Sequence, residues 1–159
     1  MKRLVNTTVL GLCLGTGLIF GASTVAAETI AASSIPPADL LQPASLAATL
    51  QSDAAGRPLV LQVGFRKLFD EAHIIRAEYA GPGGASAGLA LLRERVAKLP
   101  KDSAIVIYCG CCPWDHCPNI GAAFSELRLL GFRNVKALYI AHDFGTDWID
   151  KGYPVAKGR

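Results

Sequence analysis

Four of the five cysteines lie within one short stretch, YCGCCPWDHCPN, at residues 108–119. Thiols crowded in this way can close disulfides, bind a soft metal ion or present one reactive sulfur. The same stretch contains aromatic and polar side chains that could line a pocket beside the thiols. The candidate site residues are the thiols Cys109, Cys111, Cys112 and Cys117 and the pocket residues Trp114, His116 and Asn119.

A buried strand and a helix are predicted on either side of these cysteines. Residues 104–108, AIVIY, form a short apolar run that is typical of a buried strand. Apolar residues at helical spacing then predict a helix over 120–130, which ends at Gly131. Ligands of parallel sheets bind where strands end and helices begin, and the first amides of a helix favour a negative charge. A cysteine held at this position would therefore have a lowered pKa and would be a nucleophile at neutral pH.

The rest of the sequence alternates between strand and helix patterns. PLVLQV (58–63) and NVKALYI (134–140) predict two more buried strands, and apolar spacing predicts helices near 46–50 and 89–99. A short helix and a turn are predicted within 143–154. This alternation predicts an α/β domain built on a parallel sheet that is covered by helices.

The first residues have the pattern of a signal peptide. Lys2 and Arg3 give a positive start, an apolar region follows, and Val25-x-Ala27 is a typical cleavage pattern. An uncleaved membrane anchor is the competing interpretation, but the small and polar residues of the apolar region favour cleavage. The expected segments are a signal peptide at 1–27, a flexible leader at 28–39 and one domain at 40–159.

Export and charge limit the partners that we expect. A signal peptide predicts an oxidising compartment, here the periplasm, and no membrane attachment after cleavage. Removal of Lys2 and Arg3 leaves basic and acidic residues nearly balanced, and the basic residues do not cluster into a stripe. We therefore do not expect a nucleic-acid partner.

The cysteine-rich region resembles the active-site region of rhodanese-family sulfurtransferases. In that family a strand ends in a cysteine, a loop wraps its sulfur, and a helix leads to an LGF-x-NV segment, matched here by LGFRNV at 130–135. PLVLQVGFRKLFDEAHIIRA (58–77) resembles the family's strand followed by GHI-x-x-A. DWIDKGYPV (147–155) resembles its closing Trp-x-x-x-Gly-x-Pro-Val segment. The similarity extends over roughly residues 40–156.

The resemblance implies a rhodanese-like fold, with a parallel sheet covered by helices on both faces. It also implies that Cys109 is the sulfur-carrying cysteine and that no cofactor is needed. In this chemistry Cys109 takes a sulfane sulfur from a small donor, holds it as a persulfide and passes it to a thiol or a cyanide-like acceptor. Amides of the loop would stabilise the charged sulfur, much as an oxyanion hole does.

Two departures from the family's pattern affect the expected substrates. The loop is longer than is usual in the family and contains neither Arg nor Lys, whereas the family places an arginine near its end. The family's Asp-Val-Arg strand motif is here Gln62-Val63-Gly64. Because that loop arginine helps to bind anionic donors, thiosulfate is not expected to be a favoured donor.

The sequence leaves the roles of the other thiols open. Cys111, Cys112 and Cys117 either resolve a Cys109 persulfide, with a redox protein as partner, or form disulfides that pin the loop. A different class of function is a soft metal site for Cu(I) or Zn(II), with Cys111, Cys112, His116 and Cys117 as alternative ligands. A module that binds a partner without catalysis is a third possibility.

Overall fold

The computed structural model describes residues 34–52 and 56–158. The predicted signal peptide and the first part of the predicted leader lie outside the described residues. Within the described part of that leader, Ile35 is only 4% exposed and packs in the core, and Pro37–Asp39 form a 3-10 helix. Residues 34–39 are therefore part of the folded domain rather than a flexible connection to it.

The centre of the molecule is a five-stranded sheet in which every pair of neighbouring strands is parallel. The strand order is β1-β6-β5-β2-β4, and a separate antiparallel pair is formed by β3 and β7. The strands are β1 (Leu40–Leu41), β2 (Leu59–Gln62), β3 (His73–Ile74), β4 (Glu78–Tyr79), β5 (Ile105–Tyr108), β6 (Val135–Leu138) and β7 (Val155–Ala156).

Helices cover both faces of the sheet. The α-helices are α1 (Pro43–Gln51), α2 (Arg66–Glu71), α3 (Ser86–Val96) and α4 (Ile120–Leu129). A 3-10 helix at Trp114–His116 and a π-helix at Gly145–Ile149 complete the helical elements of the described residues. Buried side chains of α3 and α4 pack on one face, and those of α1, α2 and the π-helix pack on the other. The predicted α/β fold with helices on both faces is confirmed.

Alternation along β5 places the thiol that follows it. Ile105 and Ile107 belong to the core beneath α3 and α4, whereas Val106 and Tyr108 belong to the opposite core. Because side chains of a strand alternate between faces, the residue after Tyr108 returns to the α3 and α4 side. Cys109 accordingly lies in the core cluster of α3 and α4.

The long apolar patterns predict their elements well, and the short elements escape prediction. The strands predicted at 58–63, 104–108 and 134–140 correspond to β2, β5 and β6. The helix predicted over 120–130 is α4, and Gly131 follows it with a positive φ of 87°. Strands β1, β3, β4 and β7 have two residues each, which is too short for a period-two pattern to be visible.

No helix in the described ranges is long and apolar enough to cross a membrane.

Candidate active site

The cysteine-rich stretch forms the loop between β5 and α4, and two backbone hydrogen bonds fix it to the segment that follows β6. The amide of Trp114 donates to the carbonyl of Ala141 at 3.0 Å, and the amide of Phe144 donates to the carbonyl of Gly110 at 3.1 Å. The buried ring of Trp114 packs against Tyr139, with ring centres 5.1 Å apart. Trp114 therefore anchors the loop.

Gly110 is required at the start of this loop. Its φ of +70° lies in the left-handed region, and a Cβ there would be 2.7 Å from the Cβ of Phe144. Only glycine accommodates both the backbone conformation and this close approach. The loop can turn sharply after Cys109 for this reason.

Cys109 occupies the position predicted for it, directly after β5 at the carboxyl end of the sheet. Its side chain is buried, with 5% of its surface exposed. Its Sγ lies 3.2 Å from the Sγ of Cys111, and the Nδ2 group of Asn119 donates a hydrogen bond to it at 3.3 Å. The sulfur is therefore held between a second thiol and an amide donor.

Asn119 connects the thiols to a neighbouring loop. Its side chain is 2% exposed, and its Nδ2 group also reaches the Sγ of Cys111 at 3.7 Å. Its Oδ1 accepts a hydrogen bond from the amide of Gly84 at 2.9 Å. Each end of this buried amide thus has a partner, and the Nδ2 end points at sulfur.

Three sulfur atoms form a cluster, and the fourth lies at its edge. The Sγ atoms of Cys109, Cys111 and Cys117 all lie within 4.8 Å of one another. The Sγ of Cys112 lies 3.0 Å from that of Cys111 and contacts the carbonyl oxygen of His116 at 3.6 Å. All four are free thiols, so no disulfide pins the loop in this structure. The name "thiol cluster" is used below for Cys109, Cys111 and Cys117.

The negative charge of the thiol cluster is best stabilised on Cys117. Hydrogen bonds with the thiols of Cys109 and Cys111 are the largest causes that lower the pKa of Cys117. Burial opposes them, and the backbone amides of Asn119 and Ile120 at the start of α4 lower the pKa further.

The expectation that the helix amides lower the pKa of Cys109 is wrong. The hydrogen bond with Cys111 lowers the pKa of Cys109, but the hydrogen bond with Cys117 and burial outweigh it and raise the pKa. The amides at the start of α4 are directed at Cys117, eight positions further along the chain. Sequence indicates that helix amides lie near the cysteines, but it does not indicate which sulfur they reach.

The thiol cluster differs from the metal ligand set considered from the sequence. Cys112 and the ring of His116 are not part of the group of three sulfurs, and Cys109 takes their place. Three thiols at this separation can hold a soft ion after a small adjustment. Two thiolates bound to one zinc ion at about 2.3 Å in tetrahedral geometry lie ~3.8 Å apart. Cys109 and Cys111, at 3.2 Å, would have to separate to reach that geometry.

A cleft of about 280 Å³ opens beside Cys109 and Cys111. Its apolar wall is formed by Leu68, Phe144 and Ile149. The polar side chains that line it are Gln62, Glu71 and Asp143. This space is called the Cys109 cleft below.

Gly64 and the polar residues of the Cys109 cleft were not identified from the sequence as site residues. A Cβ at Gly64 would lie 3.0 Å from the Sγ of Cys109 and 2.8 Å from the Nε2 of Gln62. The glycine that replaces the arginine of the family's strand motif therefore lets the backbone pass close to the sulfur. Glu71 and Asp143 are far from the cysteines in sequence, and no local motif marks them.

The remaining candidates have structural positions. His116 is exposed, and its ring lies outside the thiol cluster. His73 is buried, and its Nδ1 lies 2.8 Å from the carbonyl oxygen of Phe69, with its ring stacked on the Phe69 ring. His73 is thus held in the core by its neighbours.

The fold is shared with solved structures of rhodanese-like domains. The crystal structure of the Alr3790 protein from Anabaena sp. matches with a TM-score of 0.58 and 20% identity, over 74% of this chain and 92% of that chain. The solution structure of the rhodanese-like domain of Alr3790 matches with a TM-score of 0.56 and 19% identity, over 75% and 79% of the two chains. The BH2092 protein from Bacillus halodurans matches with a TM-score of 0.57 and 22% identity, over 74% and 75%.

No protein-family profile and no curated protein matches the sequence. Similarity at about one fifth identity concerns the fold. The chain has the rhodanese-like fold, as the resemblance in its sequence implies.

Proposed function

We propose that this domain is a sulfurtransferase that carries sulfane sulfur as a persulfide on Cys109. The observation that carries the proposal is the position of the Cys109 sulfur. It lies at the carboxyl end of the parallel sheet, accepts a hydrogen bond from Asn119 and lines an open cleft. Ligands of open α/β sheets bind at this edge.

Cys117 is the group that takes up the proton of Cys109 in this proposal. A thiol is a weak nucleophile, and its thiolate is the reactive form. The Cys117 thiolate accepts the proton of Cys109 through their hydrogen bond, so that one negative charge moves from Cys117 to Cys109. The Asn119 amide group then stabilises the thiolate on Cys109 at the moment of attack.

The transfer consists of two displacements at sulfur. The Cys109 thiolate attacks the outer sulfur of a donor R–S–SH, which forms a Cys109–S–SH persulfide and releases R–S⁻. An acceptor thiolate R′–S⁻ then attacks the outer sulfur of the persulfide, forming R′–S–SH and restoring the Cys109 thiolate. Neither step needs an external oxidant or reductant. The acceptor class of the proposal is a thiol or a cyanide-like nucleophile.

The other thiols provide a second outcome for the persulfide. A thiolate of Cys111 or Cys117 can attack the Cys109 sulfur of the persulfide, forming a disulfide with Cys109 and releasing HS⁻. A dithiol of a redox partner would then reduce that disulfide. The 3.2 Å between the sulfurs of Cys109 and Cys111 favours this thiol–disulfide chemistry over metal binding as the second candidate function. We propose that both reactions take place after export to the periplasm.

Intact mass spectrometry tests the proposal. After incubation with inorganic polysulfide and removal of excess reagent, the wild-type protein should gain the mass of one sulfur atom. Cys109→Ser should abolish the gain, because it removes the carrier. Cys112→Ser is the matched control, because it removes a thiol of the same loop that lies outside the thiol cluster. A full gain in Cys109→Ser, with none in Cys117→Ser, would identify Cys117 as the carrier and overturn the assignment to Cys109.

A further inference from the structure

The polar part of the Cys109 cleft is acidic. Glu71, at the end of α2, and Asp143, just before the π-helix, both line it. No Arg or Lys is among the residues that line this cleft. The Nζ of Lys67, an exposed residue outside this lining, lies 3.9 Å from the Oε1 of Glu71, whereas Asp143 forms no ion pair within the described residues. A small molecule that enters the cleft therefore meets two carboxylate groups and no cation of the lining itself.

A buried amide oxygen is the second, independent feature of this cleft. Gln62 lines the cleft and is only 2% exposed. Its Oε1 has no hydrogen-bond partner in the described part of the chain. A buried polar atom without a partner is costly, and such an acceptor is commonly satisfied by a ligand or a water molecule. An oxygen atom without a partner calls for a ligand group that donates a hydrogen bond.

The Asp143 carboxylate is fixed in position by its own neighbours. Its Oδ1 accepts a hydrogen bond from the amide of Thr146 at 2.8 Å, and its Oδ2 accepts one from the hydroxyl of Thr146 at 3.1 Å. These neutral donors hold the carboxylate without cancelling its charge. Its negative charge is thus retained at the rim of the cleft.

We propose that the Cys109 cleft selects a sulfur acceptor that carries an ammonium group next to its thiol, that is, an aminothiol. This inference rests on the proposed function, since it names the acceptor of the second displacement. The acceptor thiolate faces the outer sulfur of Cys109–S–SH, and its ammonium group faces Glu71, Asp143 and the oxygen of Gln62. The step forms one S–S bond in the product ⁺H₃N–R–S–SH and breaks the S–S bond to Cys109, which leaves as the thiolate.

The same charges disfavour anionic acceptors and donors. A carboxylate within several ångströms of a partly solvated ligand charge changes binding about threefold in either direction. Removal of both carboxylates should therefore change the binding of a singly charged ligand by a factor on the order of ten relative to wild type. A thiosulfate dianion is repelled more strongly, and it finds no basic residue among those that line the cleft.

The experiment uses three small thiols that differ in charge. The protein is first loaded with inorganic polysulfide and desalted. Cysteamine, mercaptoethanol or mercaptopropionate is then added, and the loss of the extra sulfur mass is followed with time. Each rate is divided by the rate for the Glu71→Gln/Asp143→Asn variant with the same thiol. This ratio cancels the intrinsic reactivity of each thiol.

We expect the double variant to react about tenfold more slowly with cysteamine, to react unchanged with mercaptoethanol and to react faster with mercaptopropionate. Glu94→Gln/Asp102→Asn is the matched control and should change none of the three rates. It removes the same two charges from exposed positions on α3 and in the turn before β5, away from the cleft. Glu71 and Asp143 are both exposed, so both double variants should fold.

The role of Gln62 has its own readout. Gln62→Met keeps the length of the side chain and removes the oxygen. It should slow transfer to cysteamine about threefold, because the ammonium group loses an acceptor, and leave transfer to thiocholine unchanged, because its quaternary ammonium has no N–H. Equal effects on both cations would show that Gln62 does not accept a hydrogen bond from the acceptor.

Failure of the inference is distinguishable from failure of the proposed function. If the wild-type protein gains no sulfur mass, the proposed function fails and the acceptor inference falls with it. If the protein loads and unloads sulfur but the rate ratios are near one for all three thiols, the proposed function stands and the aminothiol inference is overturned.

Discussion

Cys109 and Cys117 differ in what surrounds their sulfur atoms, although both belong to the thiol cluster. Cys117 lies at the start of α4, where the amides of Asn119 and Ile120 are directed at its sulfur. Cys109 receives the side-chain amide of Asn119 and contributes a hydrogen bond to Cys117. A single negative charge is therefore shared unequally: Cys117 is its resting position, and Cys109 is its position in the proposed reaction.

Replacement of Cys117 by serine should speed the alkylation of Cys109. The hydrogen bond and the negative charge of Cys117 raise the pKa of Cys109, and a serine hydroxyl, which does not ionise near neutral pH, removes that charge. We expect alkylation of Cys109 by iodoacetamide, followed by peptide mass mapping, to become about tenfold faster or more, because a larger fraction of Cys109 is then thiolate. Cys112→Ser should leave the rate within a factor of about two. An unchanged or slower rate in Cys117→Ser would contradict the position of the negative charge on Cys117.

The lowered pKa of Cys117 has a consequence for stability against acid. A folded-state pKa below the unfolded value, which is about 8.5 for cysteine, stabilises the fold above the unfolded value. That contribution is lost as the pH falls towards the folded-state pKa. We expect the free energy of unfolding of wild type, measured with denaturant, to fall relative to Cys117→Ser between about pH 8 and pH 5. The far-ultraviolet absorbance of a thiolate should persist in wild type across the same range.

Asn119 allows the two ends of one side chain to be tested separately. Asn119→Ala removes both the acceptor of the Gly84 amide and the donor to sulfur, and it should cost about 1–3 kcal/mol of unfolding free energy. Asn119→Asp keeps an acceptor for Gly84 and replaces the donor with a negative charge. We expect Asn119→Asp to retain more stability than Asn119→Ala but to slow alkylation of Cys109 further. The reverse order of alkylation rates would rule out the role of Nδ2 as a donor to sulfur.

At the scale of elements, the sequence predicts what is long and periodic. The apolar runs that become β2, β5 and β6 are each four residues or longer, and the spacing within α4 is helical over its whole length. The position of Cys109 after β5 follows from them. The charged segment that becomes α2 shows no clear apolar face, and six residues are too few to reveal one. Its contribution to the Cys109 cleft is consequently invisible in the sequence.

The turn after β5 depends on Gly110 for two reasons: its positive φ and the close approach of Phe144. Two variants distinguish the energetic costs of these two features. Gly110→Ala places a Cβ in the left-handed region and 2.7 Å from the Cβ of Phe144, so it should cost about 2–4 kcal/mol in denaturant unfolding. Gly131→Ala has the same kind of positive φ with no atom within 4 Å of the added Cβ. It should cost only about 1 kcal/mol. Equal costs would mean that the contact with Phe144 relaxes freely.

At the scale of the whole molecule, the site is assembled from parts that are distant in sequence. The loop of residues 109–119 supplies the thiols, while Gln62, Glu71 and Asp143 come from three other segments. The thiol positions could be predicted because the chain itself groups them. The acidic character of the cleft could not, because it depends on which loops meet at the carboxyl end of the sheet. Conversely, the absence of an arginine from the loop is visible in the sequence, and it supports the proposed preference against anions.

The core beneath α4 holds in place the helix whose first amides lower the pKa of Cys117. Two leucines of this helix, one buried and one exposed, test how much the packing contributes to stability. Leu127 is fully buried in the core cluster that contains Ile105, whereas Leu129, two residues later, is 83% exposed. Leu127→Ala should lower the unfolding free energy by about 2–5 kcal/mol, because it removes buried methyl groups and leaves a cavity. Leu129→Ala is the matched control, and it should change stability by less than about 0.5 kcal/mol.

The first turn of α4 is also fixed by hydrogen bonds of Asn119 and by the loop before it. A substitution in the core can therefore lower the free energy of unfolding while the amides of Asn119 and Ile120 stay directed at the sulfur of Cys117. We therefore expect Leu127→Ala, well below its unfolding midpoint, to alkylate Cys109 at nearly the wild-type rate. A large change in that rate would instead mean that the core beneath α4 sets the position of the amides. In that case stability and sulfur reactivity would be coupled through the whole helix rather than through its first turn.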